Sequence, residues 1–297
     1  MLIESDGTSF ENTRSLKQDL TFDQTTSFFK ELNIPFNTEH QRTLGLRTTD
    51  DYFTNLGLLF SDQCEHTIKC ARYAGNDKLD FQDRKEFNGS LLTQVEAAFA
   101  YMDLYNRKTS HFEGLKRIEK ESYPSYALRE ALINAVTHRD YSFSSSILIH
   151  LFQDRIEIVS VGGLVKGLTV TDIELGISQS RNPKLAAVLY RLKWIESYGT
   201  GLQRMLESYK SSSVKPSWKV GPNAFVVTLP NALPDAELRD DLQVTEWLKN
   251  HPTFTSRELE TFLDKSKAST RKIISDLLQE GRITRQGKGP STTYKVN

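Results

Sequence analysis

Apolar positions recur at helical spacing in several stretches and alternate in others. Phe22, Phe28, Phe29 and Leu32 predict a short amphipathic helix over 21–32, with Thr21 as its cap. A weaker helical signal spans 52–60, and TIKCARYAG (67–75) reads as a strand closed by Gly75. Leu91, Leu92, Val95, Phe99 and Met102 share one side of a longer helix within 89–108. Leu128, Leu132, Ala135 and Val136 do the same for 126–138. Two alternating runs, 145–152 and 155–161, flank Gln153 and Asp154 and predict a hairpin. A loop with Gly162, Gly163 and Gly167 follows, then a helix opened by Pro183. Gly199 and Gly201 interrupt the chain before another helix, and 224–230 is a strand. The first dozen residues are polar and read as a tail or an excised edge.

Composition narrows the class. The 297 residues hold 38 Lys+Arg and 38 Asp+Glu, so the formal net charge is +0. A nucleic-acid surface, if present, must therefore be local. Length favours two or three domains. Two cysteines, Cys64 and Cys70, make neither a disulfide scaffold nor a four-cysteine zinc site. No run approaches the length of a membrane-spanning helix, so no membrane partner is expected. Acidic Glu4 and Asp6 do not suit a secretory signal, and the expected location is cytoplasmic.

The element order predicts an α+β fold. An N-terminal α+β region (1–121) packs on a central domain (122–230), and a small domain (236–297) follows a linker. In that last segment, helices over 236–250, 256–263 and 266–280 precede strands 282–286 and 292–296. Thr255 and Glu258 have capping-box spacing, and Gly281 ends the third helix. Helix, helix, helix, hairpin resembles the winged helix-turn-helix family. From Lys265 onward, eight basic residues face Asp276 and Glu280, a formal +6. A recognition helix presents its N-terminal residues to the major groove. Lys267, Ser269, Thr270, Arg271 and Lys272 are the expected helix contacts with double-stranded DNA, and Arg282, Arg285 and Lys288 the hairpin contacts. Protein docking and plain solvation are the competing readings of these charges.

The central segment reads YPSYALREALINAVTHRDY over 123–141, which puts Glu130 and Asn134 on one helix face. With the glycine loops, it resembles the N box of the GHKL ATPases. The whole phrase resembles the RecG-related transcriptional regulators, whose GHKL-like α/β sandwich is divergent. EIVSVGGLVKGL (157–168), SQSRNPKLAAVLYRLKWIESYGTGLQRM (178–205) and FVVTLP (225–230) extend the match. TNLGLLFSD (54–62) and IKCARYAG (68–75) carry it upstream. The resemblance implies that Asn134 holds magnesium on the phosphates of ATP and that Glu130 activates water. It also implies that Gly199 and Gly201 lie at the phosphates, and that Gly162 and Gly163 border the base or lid. His138, one turn beyond Asn134, is either a ligand contact or a structural hydrogen-bonding group. Arg139 and Asp140 read as an ion pair or a cap.

The resemblance departs at one point. GHKL proteins carry an aspartate for the adenine amino group where this chain has Ser160. An ATP sensor, a magnesium-dependent ATPase with Glu130 as base, and a nucleotide-free dimerisation scaffold all stay open, hydrolysis being the less favoured. A helicase is excluded on the P-loop pattern, which neither VGGLVKG nor QGKGPST satisfies. The family's Schlafen-like AlbA domain is not recognisable, and residues 1–50 look like the stretch that follows it. The reading is a DNA-binding transcriptional regulator, expected as a homodimer on palindromic sites.

Overall fold

The computed structural model describes residues 9–113, 115–196, 199–233, 235–279, 281–287 and 292–297. They form two compact units. The first joins residues up to 107 with 121–232, and the second joins 108–120 with 233–297. No helix among the described residues is long and apolar enough to cross a membrane.

The first unit starts with a 3-10 turn, Phe10–Asn12, followed by α1 (Asp23–Glu31), α2 (Thr38–Thr43) and α3 (Asn55–Phe60). Strands β1 (Ile68–Tyr73) and β2 (Phe81–Phe87) precede α4 (Leu91–Leu104). The hairpin β3 (Lys108–Glu113) and β4 (Lys116–Glu121) then leaves this unit, and α5 (Ser125–Thr137) returns to it. The rest is β5 (Ile147–Leu151), β6 (Arg155–Val161), α6 (Val170–Glu174), α7 (Pro183–Arg191), α8 (Gly201–Ser208), β7 (Ser217–Val220) and β8 (Ala224–Pro230).

Six strands form one sheet in the order β2-β1-β5-β6-β8-β7. The β1–β5 pair is parallel and the other pairs are antiparallel. A parallel pair requires a long crossover, which α4 and α5 supply. The boundary expected at 121/122 therefore does not divide the sheet, because β1 and β2 lie in it beside β5–β8. Alternation sets the buried face: Ile147 and Ile149 of β5 and Ile156, Ile158 and Ser160 of β6 are buried. Ala127, Leu128, Ala131, Leu132, Ala135 and Val136 of α5 belong to the same core.

Three local expectations change. Of the first dozen residues, 1–8 lie outside the described residues, and the described end is packed: Glu11 is fully buried, and its carboxylate accepts hydrogen bonds from the N–H groups of Lys184 (2.8 Å) and Leu185 (2.9 Å). It caps α7, whose own preceding residue Asn182 makes no side-chain cap. Thr21 does not cap α1; the Asp62 carboxylate accepts from the N–H groups of Asp23 and Gln24 instead, and Thr21 donates its hydroxyl to Asp62. Strand β2 went unpredicted because FQDRKEF is exposed at most positions and shows no alternation. Removing the Glu11 cap in Glu11→Ala should cost about 1–3 kcal/mol in urea unfolding, the range for a buried cap and its orphaned donors. A loss under a few tenths would mean that water replaces the carboxylate.

Two buried histidines give the unit a pH response. Burial, with Arg139 beside it, holds His66 well below the ordinary imidazole value, at about 4. Burial, with Lys78 nearby, does the same for His150, also at about 4. His66 accepts from Arg139 (3.0 Å) and His150 bonds the Tyr73 hydroxyl (3.0 Å). Between about pH 6.5 and about 4 the unfolded chain binds protons that the folded one does not. Stability is thus complete above about 6.5 and falls as pH drops through this window, by at most about 3 kcal/mol per histidine. Unfolding curves at stepped pH should show this, and His150→Gln should flatten part of the slope.

The second unit contains α9 (Asp235–Asn250), β9 (Thr253–Thr255), α10 (Ser256–Leu263), α11 (Lys267–Gln279), β10 (Ile283–Gln286) and β11 (Thr293–Val296), together with the hairpin residues 108–120. The strands form an antiparallel sheet in the order β10-β11-β9. The Thr255–Glu258 capping box is present, and Gly281 follows α11 at φ +67. Val244, Leu248, Phe254, Leu259, Leu263, Ile274, Leu277 and Ile283 build a separate core.

Candidate functional site

A cavity of about 360 Å³ lies in the first unit. It is bounded by α5, the end of β6, the glycine loop after it, the α6–α7 segment and the start of α8. Tyr126, Arg129, Glu130, Asn134, Thr137 and His138 form a helical stripe along its α5 wall. Phe225 and Val227 of β8 and Ile158 and Ser160 of β6 contribute from the sheet, and Leu164, Val165, Leu168, Ile173 and Ile177 add an apolar side.

The polar centre is built from α5 and α8. Asn134 Nδ2 donates to Glu130 Oε1 at 3.0 Å, which leaves the amide oxygen for another partner. At Gly201, the first residue of α8, this carboxylate occupies the space a side chain would take: a Cβ on Gly201 would fall onto Glu130 Oε1. The glycine thus makes room for the acid.

The glycine loop closes the opposite wall. Gly162 has φ +102, and a Cβ there would lie 2.9 Å from Asp140 Cβ. At Gly163, a Cβ would lie 2.6 Å from the Gly221 carbonyl oxygen. Both positions need glycine for close approach. Arg181 fastens this loop to the end of α5 by donating to Asp140 (3.3 Å) and to the Gly163 carbonyl (3.0 Å). Asn182 donates to the carbonyls of Thr137 (2.9 Å) and Arg139 (2.8 Å). The SRNP segment therefore braces two walls of the cavity. Ser160 donates its hydroxyl to the Ala135 carbonyl at 2.7 Å, so its oxygen can act toward the cavity as an acceptor.

Glu130, Asn134, His138, Gly162, Gly163, Gly199 and Gly201 all line this one cavity. Burial, reinforced by Arg181, holds the His138 ring below the ordinary imidazole value. Of the two readings of Arg139 and Asp140, the cap is what forms: Asp140 accepts from the Ser142 N–H (3.0 Å) and hydroxyl (2.6 Å), and the two residues take different charged and polar partners. Asp140 pairs with Arg181, whereas Arg139, fully buried, donates to His66 and to the carbonyls of Phe143 (3.2 Å) and Ser145. Arg129 was missed by sequence reasoning, although it adjoins Glu130 and sits one turn from Tyr126.

In the second unit, Lys267, Ser269, Arg271 and Lys272 are exposed on α11. Thr270 does not join them: it is fully buried, and its hydroxyl donates to the Ser266 carbonyl at 3.3 Å. Helical periodicity turns this position inward, one turn before Ile274. Arg282 is half-buried and donates to Thr245 at 2.6 Å, while exposed Arg285 reaches Thr292 at 3.4 Å. Lys288 lies outside the described residues.

The model of a family described as "Putative ATP-dependent DNA helicase recG C-terminal" matches residues 144–229. That stretch carries a RecG-related ATPase-like domain. It runs from just before β5 nearly to the end of β8, so α5, with Glu130 and Asn134, lies upstream of the match. The DIP2311 protein from Corynebacterium diphtheriae has a similar crystal structure, with a TM-score of 0.66 and 18% sequence identity. The likeness covers 98% of this chain and 64% of that one, and at this identity it is a likeness of fold. No curated protein matches the chain.

Proposed function

We propose that this protein is a cytoplasmic DNA-binding regulator whose ATPase-like unit binds ATP with magnesium. The observation that carries the reading is the Glu130–Asn134 pair set against Gly201 in a cavity of about 360 Å³. Asn134 offers a neutral oxygen of the kind magnesium takes. Backbone N–H groups at the start of α8 suit phosphate oxygens. Ser160, its proton committed to Ala135, accepts from a base amino group such as that of adenine. Magnesium, when bound, would neutralise phosphate charge, while Asn134 and Glu130 fix its place on α5.

The second unit supports the DNA part of the reading. Three helices followed by the β10–β11 hairpin have the order of a winged helix-turn-helix, with α11 as the recognition helix. Lys267, Ser269, Arg271 and Lys272 are its exposed face, and a two-fold pair of chains would meet a palindromic duplex.

Calorimetric titration of magnesium–ATP into wild type and Asn134→Ala tests the nucleotide reading. Saturable binding lost in the variant is expected; no heat from wild type at concentrations that detect about 0.1 mM affinity would end it. Glu130 favours hydrolysis as a second reading, because its carboxylate adjoins Asn134 at the mouth of α8. Phosphate release that vanishes in Glu130→Gln while binding persists would establish it. Duplex binding should weaken steeply with salt, with a shallower slope after Lys272→Ala. A salt-independent signal would remove the DNA assignment.

A further inference from the structure

Charge is distributed unevenly along the cavity. At the level of Ala135 and Ser160 the walls are neutral: an alanine, a serine whose proton is committed, and glycines. At the level of Glu130 and Gly201 they are ionic. Ala135 lies six positions beyond Arg129 on α5, about 9 Å along the helix. A ligand matching both ends is elongated, with a neutral flat part at Ser160 and an anionic part near Arg129.

Arg129 is the one Arg or Lys among the described residues lining the cavity. Its guanidinium is held by carbonyl oxygens, Trp194 at 2.5 Å and Lys193 at 3.4 Å, and forms no ion pair with an acid among the described residues. Neither acid at the same end pairs with it, although Glu130, held by a neutral amide, keeps its own charge. Glu130 accepts from Asn134, and Glu196 is paired with Arg204 at 2.6 Å. Carbonyl partners orient a guanidinium without neutralising it, so the cation keeps its full attraction for an anion.

We infer that Arg129 contacts the phosphate end of the bound nucleotide and sets a preference for triphosphate over monophosphate. The inference rests on the nucleotide reading above. It gives Arg129 a ligand-contacting role beyond bracing the segment after α7.

The test is titration of the full chain with ATP, ADP and AMP, each with magnesium, using wild type, Arg129→Gln and Arg129→Lys. Glutamine can still donate to the Trp194 carbonyl but has no charge, and lysine restores the charge. Arg129→Gln should lose about tenfold or more in ATP affinity with AMP affinity nearly unchanged, and Arg129→Lys should recover most of the ATP-to-AMP ratio. Equal losses for ATP and AMP in Arg129→Gln that Arg129→Lys does not recover would assign Arg129 to bracing alone and overturn the inference. So would unchanged ATP affinity in Arg129→Gln, and in both cases the nucleotide reading would stand. Wild type that binds none of the three would end the nucleotide reading and this assignment with it.

Discussion

Gly201→Ala should leave the protein folded and weaken nucleotide binding by more than an order of magnitude. The added methyl would fall onto Glu130 Oε1, the terminal oxygen of a flexible side chain, and not onto backbone. The acid can swing away, so the fold survives. The site does not survive, because the carboxylate that orients Asn134 is pushed out of its place. Affinity for magnesium–ATP should fall by about 30-fold or more, the scale of one charge-assisted contact plus the crowding. Calorimetry would read the affinity and thermal unfolding the fold. Wild-type affinity in this variant would show that the close approach of α8 to Glu130 has no part in binding.

Arg139→Met should have the largest effect on stability. The arginine is buried to 1% exposure. It donates to the carbonyls of Phe143 and Ser145 and to His66 Nδ1, and its guanidinium lies over the Tyr141 ring. Methionine fills much of the volume but leaves these acceptors without a donor. Each orphaned buried acceptor costs about 1–3 kcal/mol, so a total near 3–5 kcal/mol is expected. Arg139→Lys should recover only part, since an ammonium cannot span acceptors placed for a planar fork. A denaturation midpoint within 1 kcal/mol of wild type would mean that the loop after α5 is held by its other contacts.

What could be read from sequence was what is local. Helices α4 and α5, the β5–β6 hairpin and the Thr255–Glu258 cap depend on residues a few positions apart, and period or spacing reveals them. What escaped depends on distant partners. Glu11 caps a helix 173 residues away, and Asp62 caps α1 from 38–39 residues away. Neither leaves a trace in the pattern around the helix it serves. Similarly, Arg139 and Asp140 are neighbours in sequence, which suggested a pair or a cap; the local cap at Ser142 forms, but the partners Arg181 and His66 are distant in sequence. The cavity's glycines and the Glu130–Asn134 face were legible through motif resemblance. The cationic end at Arg129 was not, because only the folded chain shows that neither acid there pairs with it.

The hairpin of residues 108–120 has its compact surroundings with residues 233–297, while the chain on both sides of it belongs to the other unit. Neither unit is therefore a continuous cassette. A recombination event that exchanged the segment after 232 for a different module would leave the ribbon facing a stranger, so the two pieces are bound to change together. Synthesis imposes an order as well. The ribbon leaves the ribosome while the stretch it packs with is still untranslated, and it must wait through the making of α5 to β8 before its own unit can close.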